Sequence, residues 1–267
     1  MKKFELKNRK GQRIVGILRM PDMEICGTAI IQHGYGGLKE QDHVLKMEAA
    51  FHDNGFITFN FDATNSFGES EGSYWEARLG LHAEDLEDVV KWVQKQEWFQ
   101  KPLALTGHSM GGYAVSRYAE NYPDEVSFLA PIAPVVSGVL SLEAHKEEDP
   151  QGLEEFQRRG YKESISQTTG ILKKSPWAEM EERLSHDLLP NVKNIIMPTL
   201  LVAGSSDKTC RPKDIKMLYE ALPVSGKNRY FEIKGAPHTY RSQKDLNALY
   251  NAMSDWIRCV KKDKLSV

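Results

Sequence analysis

The sequence predicts an α/β protein with a largely parallel sheet and helices on both faces. Short apolar runs alternate with stretches of helical period, the signature of strand–helix–strand units. Most of the runs are continuously apolar, as expected of strands buried on both faces. The alternation recurs on either side of a single long polar interruption, so one sheet with one insertion accounts for all 267 residues.

The chain opens with Phe4-Glu5-Leu6 and Ile14-Val15-Gly16-Ile17-Leu18 on either side of Asn8-Arg9-Lys10-Gly11, which reads as a hairpin. Strands are expected at Thr28 to Gln32, Phe56 to Phe61, Leu103 to Thr106, Val126 to Ile132, Thr199 to Ala203 and Arg229 to Ile233. Leu86, Val89, Val90 and Val93 keep the i, i+3, i+4, i+7 spacing of a helix, as do Leu246, Leu249, Tyr250 and Met253, with Ile257 one turn on. The acidic cluster Glu84, Asp85, Glu87, Asp88 falls on the first of these helices and is expected to be a solvated face near the helix N-terminus. Residues 136–193 lack a clear buried strand: Glu143 to Glu155 and Trp177 to Leu189 look helical, with a turn-rich passage from Ser164 to Gly170. This stretch is too long for a loop and too polar for core, so 136–193 is expected to be a cap inserted within a single domain, 1–267.

Composition narrows the function. With 40% hydrophobic and 27% charged residues, a disordered or low-complexity chain is excluded. The 35 basic and 37 acidic residues leave a net charge of -2, with no cationic excess for a nucleic-acid backbone. The longest nearly pure apolar run, Phe128 to Val136, contains two prolines. It falls far short of the roughly 18–20 residues of a spanning helix, so no membrane span is expected. The lysines at the N-terminus are not followed by the apolar stretch of a signal peptide. Cys26, Cys210 and Cys259 are scattered and odd in number, so they are expected to be reduced thiols in a cytoplasmic protein.

The chemistry concentrates in four places. Gly107-His108-Ser109-Met110-Gly111 directly follows a strand, and small residues behind it suit a closely packed helix. A serine on a sharp strand-to-helix turn exposes its hydroxyl, and the glycines let strand and helix approach. Serine needs a base, and the base needs an acid to orient it. Asp207 lies just past the strand ending at Ala203, and His238 just past the one ending at Ile233. They follow Ser109 in the order Ser, Asp, His at separations of 98 and 31 residues. Asp214, after Arg211-Pro212, is the rival acid but suits a helix first turn better. The fourth place is His33-Gly34-Tyr35-Gly36-Gly37, where the Tyr35 N–H, with that of Met110, could hold an oxyanion. Nucleotide-binding readings fail by spelling: Lys39 stands where a dinucleotide fingerprint needs glycine, and Tyr113 where a phosphate loop needs lysine.

On these motifs the chain resembles the α/β hydrolases over its whole length. Within them it is similar to capped serine esterases such as the cinnamoyl/feruloyl esterases and monoacylglycerol lipases. The resemblance implies an α/β-hydrolase fold with a mostly eight-stranded sheet and Ser109, Asp207 and His238 as a catalytic triad. It departs from these relatives after the strand at 56–61, where their Asp-x-Arg-Gly-His-Gly-x-Ser becomes Asp62-Ala63-Thr64-Asn65-Ser66-Phe67-Gly68-Glu69-Ser70. Asp62, Gly68 and Ser70 match; the departure bears on local packing and pocket shape.

The expected activity is therefore a serine carboxylesterase acting on short-chain or aromatic acyl esters of small molecules, with no metal and no cofactor. The alternatives are amide, thioester or peracid chemistry on the same triad, or a binding protein on the same scaffold. The assembly state is open, a homodimer included. His33 is expected to brace the oxyanion loop and His108 to lie beside the nucleophile. His43, His52, His82, His145 and His186 lack ligand spacing and are assigned surface or capping roles. Trp177, Tyr161 and Phe156 are either substrate contacts or ordinary packing within the cap.

Overall fold

In a computed structural model, residues 1–166 and 170–262 can be described. The hairpin β1 (Lys2–Lys7) and β2 (Arg13–Arg19) forms as expected and pairs antiparallel. β3 (Gly27–Gln32), β4 (Phe56–Asp62), β5 (Leu103–His108) and β6 (Phe128–Ile132) follow, the first three buried at every residue. β7 (Tyr161–Ile165) and β8 (Leu172–Pro176) form a separate two-stranded sheet, and β9 (Leu200–Gly204) and β10 (Arg229–Ile233) complete the main one. The main sheet has eight strands in the order β1-β2-β4-β3-β5-β6-β9-β10. β2 runs antiparallel to both its neighbours, β1 and β4, and the remaining pairings of the sheet are parallel. Complete burial of β3 and β5 fits their mainly apolar sequences, whereas β4 alternates Thr58, Asn60 and Asp62 with Ile57, Phe59 and Phe61 and buries both sets.

Helices α1 (Asp42–His52) and α8 (Gln243–Lys262) pack on each other, as do α2 (Leu79–Val93) and α3 (Met110–Asn121), and the sheet is covered on both faces. The strand order reverses at β3, which pairs with β4 on one side and β5 on the other. In open α/β sheets ligands settle at the carboxyl ends of strands beside such a reversal.

The acidic cluster on α2 is not a solvated face. Asp85 is buried and accepts bonds from the Asn8 side chain (2.9 Å) and from the Thr64 amide and hydroxyl (2.7 Å each). Arg9 reaches Asp88 at 2.9 Å and Lys10 reaches Glu84 at 2.9 Å. The cluster docks the β1–β2 turn on the mid-section of α2, away from the helix N-terminus.

The segment between β6 and β9 also departs from expectation. The single helix foreseen at Glu143 to Glu155 is two, α4 (Gly138–Glu148) and α5 (Pro150–Arg159). Pro150 has no N–H to continue α4, and the Asp149 carboxylate caps α5 through the Gly152 N–H at 2.9 Å. The helix foreseen at Trp177 to Leu189 is the shorter α6 (Trp177–Arg183). Of the turn-rich passage at Ser164 to Gly170, Ser164 and Ile165 belong to β7, while residues 167–169 lie outside the described residues. Helix α7 (Pro212–Ala221) lies between β9 and β10 in the chain.

Candidate active site

β5 ends at His108, and α3 begins at Met110, so Ser109 alone makes the turn. Its φ of 57° and ψ of -115° lie where L-residues are strained. The turn is held from three sides: the Ser109 N–H donates to Ile132 O, and Ser109 O accepts from the Val135 and Tyr113 N–H groups, all at 3.0–3.1 Å. A Cβ at Gly111 would stand 2.5 Å from the carbonyl oxygens of Gln32 and His33, so only glycine lets α3 approach the end of β3 this closely.

The loops after β9 and β10 bring their side chains to the serine. His238 Nδ1 lies 2.7 Å from Asp207 Oδ2, and His238 Nε2 lies 3.0 Å from Ser109 Oγ. With Nδ1–H donating to the Asp207 carboxylate, Nε2 faces Ser109 as an acceptor. Asp207 is buried, and its other oxygen accepts from the Thr209 and Cys210 N–H groups at 2.8 and 2.9 Å. Burial pushes the Cys210 thiol well up, which leaves it a packing residue behind the acid. Asp214 instead sits in the first turn of α7 and pairs with Arg211 at 2.6 Å.

The loop after β3 folds over the serine. A Cβ at Gly34 would come 2.9 Å from Ser109 Cβ, and Gly37 N–H closes on Gly34 O at 2.9 Å. Tyr35 and Met110 both line the cavity above Ser109, and among the described residues neither backbone N–H donates to a protein group. His33 Nδ1 meets Gly34 O at 2.7 Å while its Nε2 accepts from Ala63 N–H at 2.9 Å. His82, fully buried, bonds the His33 carbonyl at 3.0 Å. His108 bonds the His238 carbonyl at 2.7 Å, meets the His43 ring edge-on at 4.4 Å and lies tilted against the His238 ring at 4.7 Å. His43 and His82 are thus buried supports of the site, not surface residues; burial lowers each to about 3 and keeps it neutral.

The Asp62 loop is a structural hub. The buried carboxylate accepts from the Lys39 N–H (2.7 Å), the Lys39 ammonium (2.8 Å) and the Glu69 N–H (2.9 Å). The Ser70 hydroxyl closes the loop on Asp62 O at 2.6 Å.

Above Ser109 lies a cavity of about 370 Å³. Its aromatic wall is Tyr35 and Tyr74, 4.7 Å apart. Trp177 and Phe156 pack edge-to-face on each other, and with Tyr161 they lie outside the lining. The lining also carries a cationic group, Lys162, Lys173, Arg183 and Arg241, with Glu179 as its carboxylate. Sequence reasoning missed this group. The signal was there in Lys162-x-Ser164-x-Ser166 and Lys173-x-Ser175, a period of two, but a polar alternation does not announce a strand as an apolar one does.

Among the described residues no group of three His, Cys, Asp or Glu side chains could hold a metal ion, and no helix is long and apolar enough to cross a membrane.

Residues 24–155 match the family model of the serine aminopeptidases, S33. An uncharacterised 31.7 kDa protein of Escherichia coli, from the traX–finO intergenic region, is 25% identical over 250 residues, 82% of this chain and 86% of that one. Among solved structures, Est1E of Butyrivibrio proteoclasticus with ferulic acid bound superposes at a TM-score of 0.77. It is 21% identical, with 96% of this chain and 98% of that one covered. The mouse α/β-hydrolase domain-containing protein 10 gives a TM-score of 0.76 at 20% identity, with both chains covered completely. The structural matches identify the fold.

Proposed function

We propose that this chain, which has the α/β-hydrolase fold, is a serine carboxylesterase acting on small-molecule esters. The observation that carries the proposal is the unbroken relay Asp207–His238–Ser109, with the serine strained upward at the base of a cavity.

Ser109 Oγ attacks the ester carbonyl carbon as its proton passes to His238 Nε2. The imidazolium so formed is held by Asp207, whose carboxylate also fixes the starting tautomer. The carbonyl oxygen, now negative, lies between the free N–H groups of Tyr35 and Met110. Collapse breaks the bond to the alkoxy oxygen, which leaves with the proton from His238. Water then repeats the sequence on the acyl-enzyme, its proton going to Nε2, and the acid leaves as Ser109 recovers its own. In this reading residues 136–193 form the cap that shapes the cavity.

Hydrolysis of 4-nitrophenyl esters from acetate to palmitate, with methyl ferulate added, tests the proposal against Ser109→Ala. The expected result is activity on at least one ester and a loss of about 10⁴–10⁶ in kcat in the variant. Activity retained by Ser109→Ala overturns it. One observation favours a second reading, amide hydrolysis: the family model matched by residues 24–155 is named for aminopeptidases. A matched ester and anilide pair separates the two, since an amidase turns over both and an esterase only the first.

A further inference from the structure

The bases that the chain buries most each have a carboxylate of their own. Lys39 has Asp62 at 2.8 Å, Arg183 has Glu179 at 2.5 Å, and Arg211 has Asp214 at 2.6 Å. Lys162 and Lys173 break this pattern. Among the described residues Lys162 bonds only the neutral His145 Nε2, at 3.2 Å, and lies 4.9 Å over the Phe156 ring. Lys173 makes no ion pair among the described residues, and the charge acting on it is that of Arg241, which bonds only the Thr239 hydroxyl. Of the acids around them, Glu179 is taken by Arg183, and Glu148 acts on Lys162 only weakly, through space. Glu163, opposite Lys174, lies on the other face of the hairpin.

The β7–β8 register concentrates these charges. Lys162 pairs with Ser175 and Ser164 with Lys173, so ammonium groups and hydroxyls alternate on the face toward Ser109. A cavity for a purely aliphatic acyl chain would place apolar side chains there. Burial lowers both lysines, as expected of cations held partly out of water with no carboxylate in ion-pair contact among the described residues.

We infer that the substrate carries a negatively charged group, a carboxylate or a phosphate, which lies under the β7–β8 hairpin against Lys162, Lys173 and Arg241 while its ester carbonyl sits at Ser109. The inference rests on the esterase reading. The anion supplies the carboxylate-like partner that the other buried bases find within the chain, and charge-assisted hydrogen bonds to it select it over a neutral isostere.

Mono-4-nitrophenyl adipate and 4-nitrophenyl hexanoate have the same chain length and leaving group and differ in the terminal carboxylate. The adipate ester is expected to have a kcat/KM roughly 10–100-fold higher, with the advantage shrinking as salt is raised. The ratio is expected to fall toward parity in Lys162→Met and Lys173→Met and to fall less in the more exposed Arg241→Ala. On the alcohol side, 4-acetoxybenzoate and 4-acetoxyphenyl phosphate are each compared with methyl 4-acetoxybenzoate, which tells carboxylate from phosphate. Binding is read apart from turnover by calorimetric titration of Ser109→Ala with monomethyl adipate and methyl hexanoate. Charged and neutral compounds used and bound equally well, or a preference that survives Lys162→Met with Lys173→Met, overturn the inference while leaving the esterase standing. Failure of a fluorophosphonate to label Ser109, with no ester turned over, removes the esterase reading. The titration still decides whether the cavity prefers the anion.

Discussion

Ser109 and Asp207 stand just beyond β5 and β9, strands buried at every residue, whereas Lys162 and Lys173 stand on β7 and β8, a hairpin with few buried residues. The first region is fixed by the core: a shift of Ser109 would disturb the bonds from Ile132, Val135 and Tyr113 and the packing of α3 on β3. The second hangs on local contacts such as the hydroxyl pair Tyr74–Ser175. One half of the cavity is thus held to the tolerance that bond-making needs, and the other is free to change its side chains without unfolding the sheet. On the proposed function, the reaction belongs to the sheet and the choice of substrate to the segment between β6 and β9.

The largest effect that bears on this division comes from Asp207→Asn. The amide can keep the contacts from Thr209 and Cys210 but no longer fixes the Nδ1–H tautomer of His238. A fall of about 10⁴ in kcat with an intact fold is expected, checked by steady-state kinetics beside circular dichroism. A fall of less than tenfold would mean that the orienting acid lies elsewhere and that the sheet does not own the chemistry.

The same division decides what the sequence could tell. The serine elbow, the acid and the histidine were legible because each had to stand directly after an apolar strand, where only a few residue types do the chemistry. The Asp149-Pro150 break between α4 and α5 was present as a helix-stopping pair, but helical period on both sides masked it. The β7–β8 hairpin was missed because few of its residues are buried and no apolar alternation marks it. The acidic cluster on α2 was misread because its partners, Asn8, Arg9 and Lys10, lie more than seventy residues earlier in the chain. His43 and His82 looked unremarkable because a histidine carries no sign of its own burial.

Those histidines give the next effect. Burial lowers His43 and His82 to about 3 and His145 to about 4, and it also lowers His33 and His108. In the unfolded chain each titrates near 6.5, so between the two values the unfolded state binds the extra protons. The stability is whole above pH 6.5 and is lost as pH falls toward 3–4, at up to about 1.4 kcal/mol per pH unit for each histidine. Urea unfolding followed from pH 7 to pH 5 is expected to show this acid loss, with His82→Gln reducing the slope by about one proton. His145, on α4, sharpens the comparison between regions. If the insertion unfolds with the sheet, His145→Gln removes one proton as well; if it opens alone, the global slope stays as in the wild type. An unchanged slope in His82→Gln would mean that the site's supporting histidines are not held neutral by the fold.

The smallest effect is the most local. Tyr74 stacks on Phe67 at 4.5 Å and on Tyr35 at 4.7 Å, and its hydroxyl lies 2.9 Å from Ser175 Oγ, tying β8 to the wall of the cavity. Tyr74→Phe keeps both ring contacts and removes only the hydroxyl pair, a change of about 0.5–1.5 kcal/mol. If the hairpin is a separately held element, that energy appears as its local opening, not as global unfolding. Amide exchange within β7 and β8 is then expected to quicken by about 2–10-fold while β5 and β9 exchange as before and the melting temperature moves by no more than about 2 °C. Faster exchange spread evenly over the sheet would show the hairpin and the sheet opening as one unit. Lys162 and Lys173 would then be fixed as firmly as Ser109.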